Sequence, residues 1–137
     1  MRMLSDESRV LAGVLLLALV TVETGGMYMV KLVRGKAPAT AFQMSFARAG
    51  HAHAGVLLIL ALVCQVLADS TTQSGFWDWV SRSGVAVSAL LMPGGFFFSS
   101  MGAGREQPNK LIALVFAGAA LLAVSLTSLG VGLLTAG

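Results

Sequence analysis

Two histidines, His51 and His53, stand two residues apart in the segment Arg48-Ala49-Gly50-His51-Ala52-His53-Ala54-Gly55, which opens a long apolar stretch. Neutral imidazole is the commonest protein ligand for metals, a frequent ligand of haem iron, and a group that gains or loses its proton near neutral pH. The pair therefore marks a candidate haem or metal site, or a proton relay. Spacing restricts what the two rings can do together. Successive helical residues turn by about 100°, so positions two apart point about 160° away from one another, and one regular helix cannot close both rings on a single metal. His51 shares its face with Arg48 and Gly55, and His53 shares its face with Ala49 and Leu57.

Glu23 is the second outlier, an acid within an apolar run and eight residues before Lys31. That is about 12 Å along a helix. If the first two apolar stretches run antiparallel, Glu23, Tyr28, Arg48, His51 and His53 share one half of the molecule. Ser99 and Ser100, at the end of the third stretch, and Asn109, at the start of the fourth, belong to the same half. The expectation is a polar cluster there and an almost purely apolar opposite half.

Three kinds of chemistry remain open for the cluster. It can clamp helices through hydrogen bonds, hold a haem or metal on one histidine, or pass protons or ions. No Ser-His-Asp order, phosphate loop, HExxH or paired catalytic carboxylate is present. No catalytic residue is assigned, and the pattern points away from an enzyme.

The elements that must position these residues follow from hydropathy. The 137 residues make one domain, 56% apolar and only 11% charged, with a mean hydropathy of +0.84. Such a chain is too short to hide its apolar surface from water. A helix needs about 20 mainly apolar residues to cross a bilayer, and four windows qualify: Val10–Val30, Ala49–Leu67, Gly84–Met101 and Leu111–Ala136. In lipid, unpaired backbone groups force each window to be helical. The expected fold is all-α, an integral membrane four-helix bundle running up-down-up-down, with small-xxx-small contacts at Gly50/Ala54, Gly95/Ser99 and Ser128/Gly132. Pro93-Gly94-Gly95 in the third window is expected to kink it.

Charge sets the expected orientation. Lys31, Arg34, Lys36, Arg48, Arg105 and Lys110 flank the first and third connections, against Arg2, Arg9 and Arg82 on the other side. The positive-inside rule then puts both termini outside the cytoplasm of a multi-pass cell-membrane protein. The formal net charge of +3 forms no basic run, so the expected partners are the lipid bilayer and a homo-oligomer or membrane complex, not nucleic acid. Asp6 and Glu7 spoil the basic region of a signal peptide, so the first window is expected to stay as a membrane helix. The single Cys64 has no partner for an intrachain disulfide.

Phe46-Ala47-Arg48-Ala49-Gly50-His51-Ala52-His53-Ala54-Gly55, then Pro93-Gly94-Gly95-Phe96-Phe97 and Gln107-Pro108-Asn109, together resemble small four-helix membrane proteins of actinobacteria and related bacteria. The resemblance covers most of the chain and implies its architecture without an activity. More remotely, Ala-His-Ala-His at the head of the second helix is similar to compact four-helix proteins related to haem-copper oxidase subunit I. That resemblance implies His51 or His53 as a ligand of haem b. With no histidine elsewhere in the chain, the haem would be five-coordinate, take a second ligand from Met27, Met29, Met92 or Met101, or be shared between subunits.

Overall fold

The computed structural model describes residues 4–137, and among them it is all-helical, with no strand. Four long helices follow one another: α1 (Asp6–Val33), α2 (Ala41–Ala68), α3 (Gly75–Ser99) and α4 (Ala113–Leu134), the last entered through a single 3-10 turn, Lys110–Ile112. All four are long and apolar enough to cross a membrane. Arg2, counted among the flanking charges, lies outside the described residues.

Side chains in the connections start three of these elements. The Ser5 hydroxyl accepts from the Ser8 amide at the head of α1. Thr40 and Gln43 satisfy each other's backbone amides in a capping box at the head of α2, and the Asn109 side chain accepts from the Leu111 amide. Each satisfies amides that have no partner within the first turn.

The first three helices start before their apolar windows, α3 by the most, whereas α4 lies within its window. Helix α3 begins at Gly75 rather than Gly84, so Trp77, Asp78, Trp79 and Arg82 are helical residues and not part of a connection. The reason is the four-residue spacing of Asp78 and Arg82, whose ion pair at 3.0 Å lets the helix carry both charges. Pro93 is buried, and α3 continues through it to Ser99.

Packing follows chain order, with α3 between α2 and α4. The core is built from Leu57, Leu58, Ala61 and Cys64 of α2, Val85, Ala89 and Met92 of α3, and Leu129 of α4, with Leu15 of α1 at its margin. The small residues singled out in the sequence are used within the chain. A Cβ on Gly50 would meet the Phe97 ring at 3.0 Å, and one on Gly95 would lie 2.6 Å from the Val115 backbone nitrogen.

Helix α1 sits at the rim and packs on α2. Its less exposed residues include Ser8, Leu11, Leu15, Ala18, Val22, Gly25, Met29 and Leu32, spaced alternately three and four apart. This is the narrow seam of a helix that packs mainly on one partner. Glu23, one residue past Val22, is turned about 100° away from that seam and is exposed.

Candidate functional site

The structure separates the residues expected to cluster. His51 faces α1, where Gly25 and Gly26 make room for its ring: a Cβ on Gly25 would stand 3.3 Å from His51 Nδ1, and one on Gly26 would stand 3.6 Å from Cε1. His53 faces α3, its ring 5.0 Å from that of Phe96. The two imidazoles therefore serve different helix seams, as their spacing dictates.

His53 is held on both sides. Its Nδ1 lies 2.7 Å from the Ala49 carbonyl oxygen one turn back. Because a carbonyl only accepts, Nδ1 is the donor of this bond, and in the neutral ring the lone pair then lies on Nε2. Phe96 also meets Phe46 edge-on at 5.4 Å, and Phe46 lies 4.3 Å from Phe42. His53 thus ends a short aromatic column along the α2–α3 seam.

Glu23, Tyr28 and Arg48 are exposed, and among the described residues no hydrogen bond or ion pair joins Glu23, Arg48, His51 and His53. Ser99 and Ser100 close the end of α3, donating to Phe96 O at 3.3 Å and Phe97 O at 3.1 Å. Asn109 donates from Nδ2 to Phe98 O at 2.9 Å. These three residues shape the third connection and do not extend to the histidines. Four surface grooves of about 440–760 Å³ are present, and neither histidine lines any of them. Among the described residues no three His, Cys, Asp or Glu side chains converge as a metal site.

The densest polar assembly occupies the opposite half, which is therefore not the almost purely apolar scaffold expected from the sequence. Arg82 of α3 donates from Nη1 to Asp69 Oδ1 at 2.6 Å and from Nη2 to Asp78 Oδ1 at 3.0 Å. Nη1 also contacts the Ser8 hydroxyl. The Ser8 hydroxyl stands 3.0 Å from the same Asp69 oxygen, and the Ser5 amide donates to Asp69 Oδ2 at 2.9 Å. Gln65 completes the knot, donating from Nε2 to the carbonyls of Arg82 at 2.7 Å and Ala61 at 3.1 Å.

This knot ties the heads of α1 and α3 to the tail of α2. The Arg82 and Asp69 side chains keep only 13% and 14% of their exposure. Burial pushes the Asp69 carboxyl up, but hydrogen bonds from Arg82, Ser5 and Ser8 outweigh it and hold the group below the ordinary carboxylate range. Gln65 is fully buried, and its Oε1 has no donor. With both Nε2 bonds going to carbonyls, turning the amide over would set Oε1 against two acceptors and lose both contacts.

The sequence held a signal for this knot in two pairs at helical spacing, Gln65/Asp69 and Asp78/Arg82. Reading residues 68–83 as a connection concealed it. Comparison with protein-family models, with curated proteins and with solved structures finds no match to the chain.

Proposed function

We propose that this protein is a multi-pass membrane protein whose four helices cross up-down-up-down, and that it works as a non-catalytic subunit of a larger membrane assembly. The observation that carries this reading is Glu23. It stands about 15 Å from the Val33 end of α1 by helical rise, exposed and without an ion pair or hydrogen bond among the described residues. An unpartnered acid at membrane depth costs several kcal/mol on insertion scales, roughly 2.5–3.5 near the centre, so it calls for a partner outside this chain. Helix α1 packs mainly along its α2 seam, touching α3 at its head through Ser8 and Arg82, and Leu17, Val20 and Met27 on its other faces are exposed. A donor on a neighbouring subunit's helix satisfies Glu23.

The test is in-cell photocross-linking from Val20, one turn from Glu23. A discrete protein adduct that weakens in Glu23→Ala and persists in Glu23→Gln is expected. An adduct pattern indifferent to Glu23, together with a monomer mass in mild detergent, would remove the assembly reading.

One observation favours a second reading, in which His53 ligates haem b or a metal. The bond from Nδ1 to Ala49 O fixes the tautomer that leaves Nε2 free to ligate. Haem-replete expression followed by a visible spectrum decides it, with a Soret band lost in His53→Ala expected and a featureless spectrum excluding it.

A further inference from the structure

A groove of about 760 Å³ runs between the second connection, the head of α3 and the later turns of α4. Ala123, Val124 and Val131 give it an apolar wall, and no charged side chain lines it. Gln73 lies across its floor, donating from Nε2 to Ser128 O at 3.0 Å and accepting from Ser81 at 2.8 Å. Gly132 makes that crossing possible, because a Cβ there would come within 2.5 Å of Gln73 Cδ. Gln73 and Ser128 are therefore satisfied within the protein.

The remaining polar groups of the groove are not. The hydroxyls of Thr72, Ser74 and Thr127 and the indole N–H of Trp77 make no hydrogen bond to the described chain. Thr127 is the telling one. A hydroxyl inside a helix ordinarily returns to the carbonyl one turn back, as Ser125 does to Leu121 at 2.8 Å and Thr135 to Val131 at 2.9 Å. Thr127 does not, although it stands about 10 Å from the Leu134 end of α4 by helical rise.

We infer that this groove binds an uncharged amphiphile. Its carbonyl oxygens accept from Thr127 and the Trp77 indole, and its hydrocarbon tail runs from there along Ala123 and Val124, away from the Leu134 end of α4. Donors without a net charge select against an ionised head, since an anion would find no cation here. The volume lies within the range of small-molecule sites, about 300–1,000 Å³. A neutral glyceride ester and a tailed benzoquinone share this chemistry. Binding is read in micelles and does not depend on the assembly through Glu23.

Trp77 reports occupancy once Trp79→Phe leaves it as the single tryptophan. In that background, quenching of Trp77 is followed with decyl-benzoquinone, with a diacylglycerol brominated on its acyl chains, and with phosphatidylserine bearing the same brominated chains. Saturable quenching by one neutral probe, with half-saturation raised about fivefold by Thr127→Val as one hydrogen bond is lost, is the expected result. The neutral probe that saturates identifies the source of the head group. Quenching that never saturates with either neutral probe, is unchanged by Thr127→Val, or saturates equally with phosphatidylserine overturns the inference.

Discussion

Asp69 and Arg82 meet at 2.6 Å across the turn between α2 and α3, with Ser8 of α1 held against both. One guanidinium thereby joins three helices at one end of the molecule. Arg82→Ala leaves the Asp69 carboxylate largely buried without its cation, and a charged hydrogen bond of this kind contributes about 1.5–3 kcal/mol. Asp69→Asn is milder, because the amide oxygen in the Oδ1 position still accepts from Ser8 and Arg82 and only the Ser5 contact is lost, while Asp78 keeps Arg82 paired. Thermal unfolding in detergent should show the larger loss for Arg82→Ala. A ranking in the opposite order would mean that the knot contributes little.

The same pair sets a pH response. A carboxyl held below its ordinary value adds stability that is fully present above the unfolded value, near 3.9, and is lost as pH falls through the lower folded value. The wild-type melting temperature should therefore fall below about pH 4, and Asp69→Asn should flatten that part of the curve. A parallel fall in both proteins would assign the acid response to other carboxyls.

The four helices were legible because length and apolar content alone identify a helix able to span a bilayer. What was not legible was rotation about each helix axis. Glu23 and His51 do share one half of the molecule, but Glu23 follows Val22 by one position and so turns off the α1 seam, while Gly25 and Gly26 on that seam receive His51. Axial depth can be counted along a sequence; azimuth depends on which helix packs where. The Asp69–Arg82 knot was hidden for a related reason. Its charges read as a solvated connection until their pairing allowed α3 to begin at Gly75.

Glycine contacts should separate into two classes. At Gly95 a Cβ would lie 2.6 Å from the Val115 backbone nitrogen, which cannot swing aside as a side chain would. Gly95→Ala should cost about 1–3 kcal/mol, the range of an overpacked contact. At Gly13, on the exposed side of α1, a Cβ meets nothing within 4 Å. Gly13→Ala should be neutral or stabilising by up to about 1 kcal/mol, through lower backbone entropy in the unfolded chain. Comparable losses in both variants would show that the α3–α4 approach is looser than these positions require.

Helix α1 is fastened to α2 near both ends by unlike contacts, and the two should act independently. At its head the buried Ser8 hydroxyl stands 3.2 Å from Gln65 O and 3.0 Å from Asp69 Oδ1. Toward its tail, Gly25 leaves the space that the His51 ring fills. Ser8→Ala removes hydrogen bonds, whereas Gly25→Val forces the imidazole to move, and each should cost about 1–2 kcal/mol. Seventeen residues of helix place the two sites about 25 Å apart, with no shared partner. Their effects on unfolding in detergent should therefore add to within about 0.5 kcal/mol. A double variant much less destabilised than the sum would show that losing one anchor already frees α1 from α2, so that the second change has nothing left to break.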